Sequence, residues 1–433
     1  MVDLEIALDL GYSGSKIAYI HGQRSRKDSG SGKQINYLHL PSALEFLSAE
    51  QLDRYHSNNW MNNDAIDDAW IEVDGEIVAI GTLAEQFDPI SPMSELKYEK
   101  ALFKALAAIG ICAELHFTKK KRKLTLALSI LLPANEYQDR HKFIDRLQLY
   151  LEKGFKFRSR PIQVKLALFI PRPEGAGLAI ALMIALGKQW WSKRILGFLM
   201  FGHRNITAHV FRSGREDISE SPLLGFTIFL NLVMSRKSGL DPQLLMKAIF
   251  LALPIRDRYI EETGSISDFD WGRCHPIAAL ATARNSDLRL LEIAEIKNAI
   301  DLAVVEYWEK ITKKLLLNLP PDLDTVVVSG GASYFVRPQL EEFFNCRAIG
   351  TTENGSLIYQ AKDPEKPFTN IIWGHLIPLV NDDGIETTLC DLLDLGDDLL
   401  SLYQSMDVTS VLLYLHAKSK SLKKTARNSQ MVS

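Results

Sequence analysis

The chain is short of the features that assign many sequences at a glance. Its four cysteines, Cys112, Cys274, Cys346 and Cys390, lie far apart in 433 residues. None of the close pairs that make zinc or dithiol sites is present, and the four read as core thiols of a reducing compartment. Fifty lysines and arginines nearly balance 53 aspartates and glutamates, a formal net charge of -3. Such a chain has no overall field to hold it against nucleic acid or an anionic membrane. The most apolar segment, Gly177 to Leu186, is about half of the roughly 20 residues that a bilayer span needs. The opening residues, Met1, Val2, Asp3 and Glu5, lack the basic region and apolar stretch of a secretory signal. A cytoplasmic protein is expected, without membrane contact and without direct nucleic-acid binding.

What is present is bulk and order. With 46% apolar residues, a chain of 433 can bury a full core and is too long for one ordinary domain. Leu4 to Leu10 is an apolar β-prone run, followed by a glycine-rich turn and by Lys16 to Ile20, which predicts a hairpin. The polar stretch Gln23 to Lys33 reads as a loop, and Trp70 to Ile80 as a second hairpin around Asp74-Gly75. Glu95 to Ile111 and Glu136 to Lys153 have helical spacing, while Leu124 to Leu132 and Val164 to Ile170 are continuous apolar strands. Strands alternating with helices predict an α/β chain with a buried, largely parallel sheet. The basic run Lys119 to Lys123 precedes a strand and has no interleaved aromatics, so it reads as a solvated turn.

From Arg194 the pattern restarts. Ile195 to Phe201 is a strand, Gly202 to Asn205 a turn and Thr207 to Phe211 a second strand, which aligns Gly11 with Gly202 and implies two related lobes. The expected division is a first lobe over 1–190 with a small subdomain inserted at about 33–95, and a second lobe over 191–355 with a helical insertion at about 221–303. Within that insertion Gly239-Leu240-Asp241-Pro242 supplies a helix stop and a fresh start. The segment 356–433 is left unassigned, with a flexible Lys- and Ser-rich tail from His416.

Two constellations carry chemistry. Asp9-Leu10-Gly11-Tyr12-Ser13-Gly14-Ser15-Lys16 ends a buried strand on an acid and turns on glycines and small hydroxyls. Glycines admit close approach of backbone N–H groups to phosphate oxygens, the hydroxyls donate, Lys16 offsets charge and Asp9 can hold magnesium through water. The ending of a Walker loop is absent, and a plain hairpin with an Asp/Gly turn is the competing reading. In Val326-Val327-Val328-Ser329-Gly330-Gly331-Ala332-Ser333 a buried strand stops on two glycines ahead of a helix, which leaves room for a flat base or a phosphate.

The order and spacing of these elements resemble the actin-like ATPase superfamily, and within it the ParM-like actins that segregate bacterial plasmids. Leu40-Pro41-Ser42-Ala43, Gly81-Thr82-Leu83-Ala84, Leu132-Pro133 and Pro173-Glu174-Gly175-Ala176 add to the likeness, which covers about residues 4 to 345. The resemblance implies an actin/ribonuclease-H-like duplicated two-lobe fold with a nucleotide cleft between the lobes. It implies ATP (or GTP) and Mg2+, with Asp9 in the magnesium shell and with Gly11, Ser13, Gly14, Ser15 and Lys16 on the phosphates. Gly330, Gly331 and Ala332 would border the adenosine, and Glu174 would orient the attacking water.

Two departures qualify the likeness. Where the second hairpin of the family begins with an aspartate, this chain has Met200 in Met200-Phe201-Gly202-His203-Arg204-Asn205-Ile206-Thr207. A thioether is a poor ligand for hard magnesium. Gly202 still admits close approach, and Arg204 or Asn205 can reach a phosphate. Trp373 to Leu379 stands where the helix returning to the first lobe is usual, and its apolar content fits either buried packing or a subunit contact; the nucleotide pocket is not expected to depend on it. The resemblance implies a homopolymeric, nucleotide-dependent cytomotive filament that moves DNA through a separate DNA-binding adaptor, with hydrolysis driving disassembly. Met200 keeps open an alternative, a nucleotide-binding filament or scaffold whose ATPase is degenerate. A sugar or acetate kinase would need a substrate-side acid, for which Glu174 is the one candidate, and a heat-shock ATPase would need a peptide-binding domain for which there is no room.

Overall fold

The computed structural model describes residues 2–11, 14–22, 35–58, 64–87, 97–118, 120–133, 137, 140–351, 357–380, 386–387, 389–393 and 399–431. Ser13 and the expected loop Gln23 to Lys33 lie outside them. The chain divides into two compact units, Met1–Gly187 with Ile377–Gly396 and Ser405–Ser433, and Lys188–Leu376 with Asp397–Gln404.

In the first unit the strand Leu4–Leu10 pairs antiparallel with Ser15–His21, as the sequence predicts, and parallel with Lys123–Leu132. Arg160–Phe169 continues the sheet in parallel. The parallel pairings require crossovers, and the helices Lys97–His116 and Arg140–Lys153 lie in those connections. The second hairpin, Trp70–Val73 with Glu76–Ile80, turns on Asp74 and Gly75 at φ 53° and 85°. Positive φ at both positions is what an Asp-Gly pair supplies. Of the basic run, Lys120 and Arg122 are exposed ahead of the strand and Lys123 is exposed at its first position.

Every residue of Leu4–Leu10 is buried, so both faces of this strand are covered. Leu4, Ile6, Leu8 and Leu10 share one face and join the core with Leu102 and Leu106 of the helix Lys97–His116. Glu5, Ala7 and Asp9 share the other, and there the helix Leu399–Met431 contributes polar partners. Glu5 accepts from the Ser419 hydroxyl at 3.1 Å and pairs with His416, all three buried. Asp407 lies on that same helix, and the charge of Asp9 bears on it. The composition from His416 onward led to the expectation of a loose tail; instead the helix runs on to Met431, and burial of His416 and Ser419 against Glu5 holds its middle.

The second unit repeats the plan. Ile195–Phe201 pairs antiparallel with Ile206–Arg212 and parallel with Thr325–Ser329, which pairs parallel with Asn370–Trp373. Phe226–Arg236, Pro242–Thr263 and Ser286–Lys314 are the long helices ahead of the strand Thr325–Ser329. Asp241 accepts from the amides of Gln243 and Leu244 with Pro242 at the first helical position, the start that the sequence signals. Trp373 ends the strand Asn370–Trp373 and is buried, which decides for packing in the unit over a subunit contact. The run from Trp373 does not stand in place of a returning helix, because Leu399–Met431 follows it. Among the described residues no helix is long and apolar enough to cross a membrane.

Candidate functional site

The first turn is built by the hairpin of the first unit. Asp9 and Lys16 are register partners, so their side chains share a face, and Lys16 Nζ donates to Asp9 Oδ2 at 2.7 Å. The glycines between them are there for space. A Cβ on Gly11 would lie 2.8 Å from the Gly14 carbonyl oxygen, and one on Gly14 would strike the His39 ring. The Ser15 hydroxyl is buried and finds no partner among the described residues. Leaving a buried hydroxyl unpaired costs about 1–3 kcal/mol, so this cradle fits an acceptor such as a phosphate oxygen.

Glu174 stands at a second strand end of the same unit. Arg172–Pro173 pairs with the end of Lys123–Leu132, and the Glu174 amide donates to the Leu132 carbonyl at 2.8 Å. Gly175 then takes φ 86° and opens the helix Ala176–Leu186. The first amides of a helix need acceptors from outside it, and Gly175 has no side chain to offer one. Asp407 supplies it: Gly175 N–H donates to Oδ2 at 2.7 Å and Gly177 N–H to Oδ1 at 2.6 Å. Burial pushes the Asp407 carboxyl up to about 7, the two amide bonds oppose the rise, and the charges of Asp9 and Glu174 add to it.

The corresponding turn of the second unit repeats the backbone and not the chemistry. Met200 pairs with Thr207 as Asp9 pairs with Lys16. A Cβ on Gly202 would lie 2.9 Å from the Asn205 carbonyl oxygen, the counterpart of Gly11 and Gly14. The carbonyls of Gly202 and His203 accept the amides of Phe226 and Thr227 at 3.1 and 2.9 Å, so these opening amides of the helix Phe226–Arg236 are spent on the turn. Asn205 Nδ2 donates to the hydroxyls of Thr207, at 3.2 Å, and of Ser221. Gly330 lies against this strand end, at φ 94°, where a Cβ would strike the Phe201 carbonyl. Gly330 N–H and Ser329 Oγ both donate to the Tyr403 carbonyl at 3.0 Å, and the side chain of Gln404 covers Gly331. Ala332 is buried in the helix that follows.

Neither a protein-family model nor a curated protein sequence matches the chain. Solved structures do. The actin-like protein Alp7A is similar at a TM-score of 0.58 with 14% identity, over 99% of each chain. ParM of Bacillus thuringiensis, solved with ATP, is similar at 0.56 with 11% identity, over 97% of this chain and 100% of that one. Ta0583, an archaeal actin homologue, is similar at 0.51 with 13% identity, over 97% and 100%. The chain has the actin-like fold.

The actin-like fold extends well past residue 345, where the sequence likeness stops. The C-terminal part also touches the candidate residues, contrary to the expectation of independence. Trp373 and His375 pack on Tyr403, with ring centroids 5.9 and 4.2 Å away, and the Tyr403 carbonyl holds the Gly330 turn. Asp407, from the same helix, has no local sequence signal: it lies 232 residues from Gly175. Among the described residues no group of three or more His, Cys, Asp or Glu is placed to hold a metal ion. A magnesium ion at Asp9 would therefore take its remaining ligands from phosphate oxygens and water. A cavity of about 590 Å³ in the second unit, bordered by Asp257, Glu261, Arg337 and Glu341, includes none of the sequence-predicted site residues.

Proposed function

We propose that the protein binds and hydrolyses ATP at the Asp9 turn and assembles with copies of itself into a filament whose stability depends on the nucleotide. The observation that carries the hydrolytic part is the Asp9 turn, where the Asp9–Lys16 pair stands beside two glycines that admit no side chain and a buried hydroxyl without a partner among the described residues. Phosphoryl transfer needs positioning and charge neutralisation more than covalent chemistry. Gly11, Gly14, Ser15 and Lys16, with Ser13 as read from the sequence, hold the phosphates through N–H, hydroxyl and ammonium donors. Glu174 orients the attacking water and takes its proton. Gly330, Gly331 and Ala332 border the adenosine, while Gly202, Arg204 and Asn205 reach the phosphates from the second turn. Mg2+, when bound beside Asp9, would neutralise charge on the β- and γ-phosphate oxygens.

Filament formation rests on the actin-like fold together with the ParM-like sequence pattern, and the ATP held by ParM of Bacillus thuringiensis supports the choice of nucleotide. Plasmid segregation through a DNA-binding adaptor follows from that pattern and agrees with the balanced charge. Met200 favours a second reading, in which the protein binds nucleotide and assembles but turns over little. Pelleting and phosphate release with ATP, GTP or neither, each with magnesium, separate the two. The expected result is nucleotide-dependent pelleting with turnover that Glu174→Gln lowers by about 10²–10⁴-fold. Pelleting without turnover selects the scaffold, and absence of nucleotide-dependent pelleting at high protein concentration sinks the filament.

A further inference from the structure

Resting on the reading of Glu174 as the residue that orients water, we infer that Asp407 is its positioning residue. Glu174 immediately precedes Gly175, the residue from which the helix Ala176–Leu186 starts, and its own amide is fixed to Leu132. The other end of its peptide continues into Gly175, whose left-handed conformation directs the chain into the helix. A left-handed glycine holds one geometry only when its neighbours fix it, because the residue itself is permissive. Here the two oxygens of the Asp407 carboxyl take the amides of Gly175 and Gly177, gripping both sides of the first helical residue. The grip is tight enough that a Cβ on Gly177 would strike the Asp407 backbone carbonyl.

Helices are usually capped by the residue that precedes them, which gives the cap to whatever local sequence is present. In this chain the cap comes from the C-terminal helix, so the aim of Glu174 is set by a tertiary contact. Asp407 is buried, and its carboxyl accepts both amides. Loss of one oxygen acceptor would free one amide and let the Glu174–Gly175 peptide rotate. The bound nucleotide, held by the Asp9 turn, would not move. The inferred role thus predicts loss of turnover with retention of binding.

The test is Asp407→Asn in the full chain, which keeps shape and one acceptor oxygen, beside Glu174→Ala and the double variant. Nucleotide affinity is read with a fluorescent ATP analogue, turnover by phosphate release, and folding by thermal melting. Asp407→Asn is expected to lower turnover at least tenfold with affinity within about threefold of the unaltered chain. The double variant is expected to be no slower than Glu174→Ala alone, because two residues acting through one group are not additive. If the asparagine variant fails to fold, Asp407→Ser, which retains a short hydroxyl acceptor, takes its place under the same criteria. Unchanged turnover, or additive losses in the double variant, overturns the role of Asp407 and leaves the ATPase reading standing. An unaltered chain that binds nucleotide without turnover overturns both the hydrolytic reading and this inference, and leaves the scaffold.

Discussion

Met200 and Asp9 occupy the same place in two turns of one design, each at a strand end two residues before a glycine. On the proposed reading, an acid at the first and a thioether at the second would leave a magnesium ion with one protein carboxylate where the ParM-like pattern has two. Met200→Asp would add a second anchor through water. An additional charge-assisted contact contributes about 1.5–3 kcal/mol, so the magnesium concentration that half-saturates phosphate release should fall by about tenfold or more. A magnesium titration checks this, and an unchanged midpoint would mean that Met200 does not face the ion. Residues of this kind are legible in the sequence because the turn that presents them is local: an acid, glycines and hydroxyls stand within eight positions. Asp407 and Tyr403 are not legible. Each acts on a backbone amide more than 70 residues away, through contacts that exist only once the helix has docked.

At the level of elements, two glycines with the same backbone sign do different things. Gly330 and Gly239 have φ of 94° and 84°. A Cβ at Gly239 meets nothing within 4 Å, whereas at Gly330 it strikes the Phe201 carbonyl, and the neighbouring strand cannot move without breaking its ladder. Gly239→Ala should therefore cost only the strain of a left-handed residue, about 1–2 kcal/mol. Gly330→Ala should cost about 3 kcal/mol or more, since overpacking adds to that strain. Urea unfolding of the two variants separates the terms, and equal losses would show that Gly330 answers to conformation alone. The strands around these glycines were readable because each is a continuous apolar run, as burial on both faces demands. The helix Leu399–Met431 was not, because its polar residues are buried: Glu5 takes up His416 and Ser419, and Asp407 takes the amides at Gly175 and Gly177.

For the molecule as a whole, that helix is the least expendable part of the segment the sequence left unassigned. Tyr403 belongs to the core cluster of the second unit, with Phe335, Tyr334 and Trp373. Leu415 belongs to a cluster of the first, with Val2 and Ala127. Leu402, Met406, Val408, Val411 and Leu412 are buried as well. Fully burying an aliphatic side chain contributes about 1.5–3 kcal/mol. Leu402, Met406, Val408, Val411, Leu412 and Leu415 together contribute about 9–18 kcal/mol, on the scale of the roughly 5–15 kcal/mol by which a folded protein is stable at all. A chain truncated after Leu393 should therefore fail to fold in either unit, with loss of the cooperative thermal transition and of soluble yield. Calorimetry of the truncated and full-length chains measures it. A truncated chain that melts cooperatively near the full-length temperature would mean that the helix is an appendage and that the capping of Gly175 by Asp407 has no part in holding the fold.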